Sequence, residues 1–448
     1  MIRSLAAVGA VALLSSFVGA PAQAAVVGVS TVSSLQAAID SARPGQRLVL
    51  ADGVHQADQP IKITKSGITI AAQTVGGTVF TSGGFQLGDV EHVTIEGFVF
   101  DGTSKLEVPP GAQATRITRN TYSGNKDGAS LSVSADDVEI DHNTFQNRTN
   151  EGVYLQITGP GSDIAKRSHI HHNYFYNHQF KGANGGESIR LGYSHKQSKS
   201  ANAIVEYNLF EKADGDSEAI SVKSSDNTIR FNTIRNSRGY IVLRHGNRST
   251  VEGNLLFGSG IRFHGNDHKI FNNYVENTGD RAMVFGSGSE ADSGPTSKGH
   301  DRPDRVTVAF NTLIGTGAVV DSDGGNFNPK DCVLANNVIK GSSGGVVSMR
   351  SGSVVKYEGN VIWGGNGGSM PASGYKSVDP KLVKDSNGLF RLASGSPAID
   401  ASAGTYSYVT RDFDLQERSG KPDVGADEYS TSAVRKALTK ADVGPTAP

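Results

Sequence analysis

"VEIDHNTF" (residues 138–145), "SHIHHNYF" (168–175) and "AIVEYNLF" (203–210) share one frame, in which alternating apolar positions lead into an asparagine and a further apolar residue. The frame continues as "NTIRFNTI" (227–234), "STVEGNLL" (249–256), "HKIFNNYV" (268–275), "VTVAFNTL" (306–313), "CVLANNVI" (332–339) and "VKYEGNVI" (355–362). Its landmarks are Asn143, Asn173, Asn208, Asn232, Asn254, Asn273, Asn311, Asn337 and Asn360, separated by 30, 35, 24, 22, 19, 38, 26 and 23 residues. The short gaps set a period of about 22 residues, and the long ones mark insertions. Each unit reads as one or two short strands closed by Gly, Asn, Asp or Ser. Such strands bury no core singly, whereas stacked coils do. No helical pattern separates the units, and the leucine spacing of a horseshoe repeat is absent. The expected fold is therefore all-β: a single-domain right-handed parallel β-helix with three short strands per coil. Stacked asparagines would then hydrogen-bond from coil to coil and hold the turn.

Both ends carry signals. Residues 34–42 read as a helix, with Ser33 and Gln36 at capping-box spacing and Pro44-Gly45 as a stop; it would cap the open edges of the first coil. "GLFRLASGSPAIDA" and "KPDVGADEY" read as irregular closing coils. A single domain is expected over residues 25–429, followed by a mobile tail over 430–448. Residues 1–24 combine Arg3, an apolar run from Leu5 to Val18 and Ala22-Gln23-Ala24, the pattern of a secretory signal peptide. A soluble exported protein is expected, extracellular or periplasmic, with no membrane partner. Cys332 is the sole cysteine, so no intramolecular disulfide can form and burial must supply stability. The 55 glycines fit a chain that turns often.

A formal charge of −1 predicts no global polyanion binding. Locally, residues 223–269 hold eight Lys or Arg against Asp226, Glu252 and Asp267, which suggests a cleft for an acidic polymer. Nucleic acid is disfavoured as that polymer by the secretory leader pattern over residues 1–24. Coils stack about 4.8 Å apart. Lys223 and Arg244 precede their landmark asparagines by nine and ten residues, which places them on neighbouring coils at nearly one angular position, with Arg262 extending the column. Glu218 and Asn184 follow theirs by ten and eleven, forming a column of oxygen ligands. Asp216 and Glu218, two residues apart, should share a strand face. A hard cation such as Ca²⁺ would relieve their repulsion. "HIHH" (169–172) puts His169 and His171 on one face as zinc ligands would be, but no third ligand stands at a suitable spacing, so an exposed rung is the expectation.

"NGGESIRLG" (184–192), "GDSEAISVKSSDNTIRFNT" (215–233) and "YIVLRHGN" (240–247) together resemble the alginate lyase and chondroitinase B family, polysaccharide lyase family 6. The resemblance implies a right-handed parallel β-helix that cleaves acidic polysaccharide by β-elimination, typically with Ca²⁺ on the uronate carboxylate. It makes Lys223 the Brønsted base and Arg244 the Brønsted acid. It places Asn184, Asp216 and Glu218 on calcium-ligand positions, Asp216 standing where the family usually has glutamate. His245, Arg262, Arg190 and Glu187 fall on substrate-binding or supporting positions. Alginate is the expected substrate of a monomeric enzyme. The alternatives are chondroitin or dermatan sulfate, or a non-catalytic carbohydrate-binding rod. A hydrolase using Asp216 and Glu218 would leave the lysine and arginine unexplained.

Overall fold

Alternation decides which side of each short strand faces inward. Ile140, Ile170, Val205, Ile229, Val251, Ile270 and Val308 stand in register on successive parallel strands, each fully buried. In the computed structural model, which describes residues 25–292, 294–432 and 435–448, this column is one wall of a rod. The strands form three long sheets of fourteen, fourteen and twelve described members, each visiting the coils in chain order. We call them the first, second and third sheets. The architecture is the expected parallel β-helix. The expected leader over residues 1–24 lies outside the described residues.

The landmark asparagines are the inner scaffold. From Asn143 to Asn360 each is fully buried, and every one before the last donates its side-chain N–H to the Oδ1 of the next, at 2.9–3.0 Å. The same Oδ1 also accepts a backbone N–H, as Asn254 does from Asn232 at 3.0 Å. Asn120 begins the ladder one coil earlier than the sequence reading placed it, bonding Asn143 at 3.2 Å. The residue before every rung is left-handed: Arg119, His142, His172, Tyr207, Phe231, Gly253, Asn272, Phe310, Asn336 and Gly359 have φ between 52° and 65°. Eight of these carry a side chain, so the turn is held against a cost of roughly 1–2 kcal/mol per residue.

A second column fills the interior. Phe100, Tyr122, Phe145, Phe175 and Phe210 stack face to face with centroids 4.8–5.0 Å apart, the coil spacing itself. Cys332 is buried and its thiol is pushed up to about 12, mainly by that burial.

Three expectations about the ends need correction. The capping helix runs Val32–Ser41, and its capping box pairs Thr31 with Ser34. Gln36 is instead engaged with the open strand edge: it donates to Lys62 O at 3.0 Å and accepts from Lys62 N at 2.8 Å. Burial of Leu35 and Ile39 on the first coil fixes the helix phase. Next, the segments after residue 380 do not continue the stack. They fold back along its flank, where Leu389 and Phe413 pack on Leu255 and Tyr274, and Val424 packs on Val338. Finally, the tail is docked. Arg435 donates to Gly253 O, Leu438 N to Thr233 Oγ1, Gly444 N to His172 O, and Arg119 donates to Pro445 and Ala447 carbonyls. It therefore retraces the rod toward the first coils. Among the described residues no helix is long and apolar enough to cross a membrane.

Asn232→Ala should lower the unfolding free energy by about 2–3 kcal/mol, because it strands buried donors and acceptors on both neighbouring coils. Asn326→Ala, at an exposed position, should change it by less than about 0.5 kcal/mol. Urea titration of both variants measures the contrast.

Candidate active site

Four consecutive strands of the third sheet, Ile189–Gly192, Glu218–Lys223, Tyr240–His245 and Ile261–Phe263, carry most of the charged residues singled out above. Their alternate residues Ile189, Leu191, Ile220, Val222, Ile241, Leu243, Ile261 and Phe263 are fully buried in the core. Alternation therefore turns Arg190, Lys223, Arg244 and Arg262 onto the outer face.

Registry changes the expected column. Lys223 lies opposite His245, not Arg244, because the pairing shifts between Val222 and Lys223. Arg244 is thus the extra residue of a bulge, a device that re-aims a side chain. Arg262 pairs with Val242, two residues from Arg244, so it does not extend a Lys223–Arg244 column. It stands 2.8 Å from Asp323 without hydrogen-bond alignment, and Asp323 also accepts from Arg281 at 2.9 Å. The charge excess over residues 223–269 also disperses. Arg230 pairs with Glu206 on the first sheet and Arg235 with Glu211 on the second, since a window of two coils points at every face.

What does assemble is a chain of buried ion pairs. Glu187 is fully buried and accepts both arms of Arg190, at 2.9 and 2.6 Å, while Lys223 Nζ reaches the same carboxylate at 3.2 Å. Burial alone would raise the Glu187 pKa, but Arg190 and Lys223 outweigh it and hold it below the ordinary value. Burial lowers the Lys223 pKa; Arg190 and Arg244 act the same way, against Glu187 and Glu218. Arg190 occupies both Glu187 oxygens, so Glu187 only partly offsets the desolvation of the lysine.

Arg244 donates to Glu218 Oε1, and Glu218 Oε2 is buried with no hydrogen-bond partner. Asp216 does not share a strand face with Glu218. It precedes the strand, and its two oxygens accept backbone N–H groups from Gly186 at 2.9 Å and Glu218 at 2.7 Å. Burial, with the nearby Glu187 and Glu218 charges, pushes its carboxyl up to about 6. Asp216 thereby ties the loop over residues 184–187 to the lysine strand. Asn184 stands exposed on that loop, outside the buried network. An orphaned carboxylate oxygen beside a second strongly perturbed carboxyl, with an amide side chain on the adjoining loop, is a donor set that suits a hard cation.

The sequence reading missed His300. It belongs to the segment inserted in the 38-residue gap between Asn273 and Asn311, recognisable as an insertion but not as part of the site. Its ring packs on His245 and His264, with centroids 4.6 and 4.7 Å apart. His245 also donates Nδ1–H to Gly299 O at 2.9 Å. Burial, then His300, lowers the His245 pKa to about 3; burial, then Arg244 and Arg262, lowers that of His300 to about 4. Both rings are neutral at physiological pH, and the insertion is clamped over the outer face beside Lys223 and Arg244.

No curated protein matches the chain. Among solved structures, the alginate lyase AlyGC of polysaccharide lyase family 6 superimposes with a TM-score of 0.73 at 25% identity, over 93% of this chain and 60% of that one. This chain thus spans about three fifths of AlyGC. A mannuronic acid specific family 6 lyase from human gut microbiota (TM-score 0.71, 24% identity, 79% of this chain and 90% of that one) has the same fold. So does the family 6 lyase Pedsa3628 from Pseudopedobacter saltans (0.66, 18%, 94% and 99%). The family model described as Chondroitinase B matches residues 29–342, well over half of the sequence, and the chain belongs to that family, polysaccharide lyase family 6.

Proposed function

We propose that this protein is an exported polysaccharide lyase that cleaves alginate by β-elimination. The observation that carries the reading is Lys223: a lysine whose charged form is disfavoured by burial, one coil from an arginine, on the outer face of a rod along which a polymer can lie. Lyase chemistry removes the proton on C5 of a uronate and expels the oxygen on C4. Neutral Lys223 takes the proton, and Glu187, 3.2 Å away, stabilises the ammonium that forms. Arg244 keeps its charge throughout, since a guanidinium does not deprotonate in proteins. It faces the developing alkoxide, and water returns the proton. His245, neutral with its Nδ1–H given to Gly299 O, offers Nε2 as an acceptor for a sugar hydroxyl, and neutral His300 offers one ring N–H and one acceptor nitrogen; neither serves as an acid. Ca²⁺ held by Glu218, Asp216 and Asn184 would neutralise the uronate carboxylate and so acidify the adjacent C–H.

Alginate is preferred because AlyGC, at 25% identity, is an alginate lyase. A second reading, a chondroitin or dermatan sulfate lyase, is favoured by the description of the matching family model. Both leave a 4,5-unsaturated uronate that absorbs in the ultraviolet, so one assay on each polymer separates them. Failure to generate that chromophore from either polymer would refute the lyase assignment.

Lys223→Ala should lower kcat by about 10²–10⁴-fold. In the wild type, kcat/KM should rise with pH through a value below that of a free lysine, and this limb should vanish in the variant. Chelator treatment should depress the wild-type rate and added Ca²⁺ should restore it, while Glu218→Gln loses the response. His300→Ala should reduce kcat/KM about tenfold by releasing His245, while the Lys223 limb of the pH profile persists; an unchanged kcat/KM would dismiss the role of the inserted loop.

A further inference from the structure

On the first sheet, away from the strands just described, the coil geometry supplies the ligand that the "HIHH" stretch lacks in sequence. His169 and His171 lie on one strand, with ring centroids 4.2 Å apart. Glu139 sits on the preceding coil directly opposite His169. One ring nitrogen of each histidine and a Glu139 carboxylate oxygen all lie within 4.8 Å of one another. We propose that Glu139, His169 and His171 form a binding site for a divalent transition metal, Zn²⁺ foremost, with a fourth position open to solvent.

The distances suit the ion. Zn²⁺ takes nitrogen and oxygen ligands at about 2.0–2.1 Å, so two ligand atoms on a tetrahedron stand about 3.3 Å apart. His171 Nε2 and Glu139 Oε1 are 3.2 Å apart already. The surroundings orient each ligand as metal sites require. His169 donates Nε2–H to Glu206 Oε1 at 2.7 Å, which leaves its Nδ1 to ligate; Glu206 is itself fixed by Arg230 at 2.6 Å. Nδ1 of His171 is engaged with Nδ1 of His172 at 2.9 Å, which leaves its Nε2 facing Glu139. Arg116 is hydrogen-bonded to Asp141 through two nitrogens at 2.8 Å and stands 3.5 Å from Glu139 Oε2, leaving Oε1 on the histidine side. The cluster is accessible: the side chains of Glu139 and His169 are each 40% exposed and that of His171 13%.

The bland alternative is a surface ladder of alternating charges, in which the histidines are only links between Glu139 and Glu206. That reading leaves two imidazoles side by side with separate partners, an arrangement a cation would bridge.

The test uses the full chain, stripped with chelator and desalted, then titrated with ZnCl₂ against a chromophoric competitor. One equivalent should bind in the wild type and in His300→Ala, which takes the central ring out of the His245–His300–His264 cluster. Binding should vanish in His169→Ala/His171→Ala and weaken by about tenfold in Glu206→Gln. Co²⁺ should give a visible d–d spectrum that the double variant lacks. Circular dichroism checks folding. Should the double variant misfold, Glu139→Gln, a half-exposed change, must weaken Zn²⁺ binding for the assignment to stand. Wild-type protein that takes up no Zn²⁺, or unaltered uptake by the double variant, overturns it. Turnover of polysaccharide should be the same in every first-sheet variant.

Discussion

The asparagine ladder is the interaction on which the rod depends. Each coil must reverse direction through a residue in the left-handed region, and at most rungs that residue is not glycine. The reversal persists because the next residue places an amide where four groups need it. Asn232, for example, donates to Val205 O, Arg230 O and Asn254 Oδ1 while its own Oδ1 receives Asn208. Within a fully buried column such bonds reinforce one another, and any gap leaves several orphans at once. The ladder therefore fixes not only the turn but the pitch, and the pitch sets every distance on the outer faces.

That regularity is what makes small departures useful. Where the strands pair without interruption, neighbouring outward residues stand in straight columns, as Glu139 does below His169. Where the pairing slips between Val222 and Lys223, Arg244 leaves its column and reaches Glu218, while His245 takes the place opposite Lys223. One inserted residue thus puts an amine, a guanidinium and an imidazole within one coil step. The insertion that carries His300 adds a roof to the same place without disturbing the ladder beneath, since Asn273 and Asn311 still bond at 2.9 Å across it.

Spacing made the rod legible, because a ladder demands one residue type at one phase and leaves a visible period. Features that obey other rules were less so. Thr31 and not Ser33 caps the helix because packing of Leu35 and Ile39, not local capping chemistry, sets its phase. Counting to the landmark asparagines gives nine for Lys223 and ten for Arg244, and that one-residue difference is the bulge, which nothing in the residue types marks as more than scatter. Arg230 and Arg235 looked like part of a cationic cleft because linear charge windows ignore that a coil turns through three faces. Docking of the tail rests on scattered contacts such as Arg435 with Gly253, which no periodicity announces.

The basicity of Lys223 shows how burial and charge are balanced at this site. A carboxylate 3.2 Å away would ordinarily keep an amine protonated, and each pKa unit of such stabilisation is worth about 1.4 kcal/mol. Arg190 alters that balance by binding Glu187 through two hydrogen bonds, so much of the carboxylate's field is spent before it reaches the lysine. Arg244 adds repulsion from the next coil, and burial removes the water that would solvate an ammonium. Burial and Arg244 thus work against the charged amine, and yet the ammonium, once formed, has a counter-ion that needs no rearrangement. A lysine on the open surface would lack the first property, and one buried without Glu187 would lack the second.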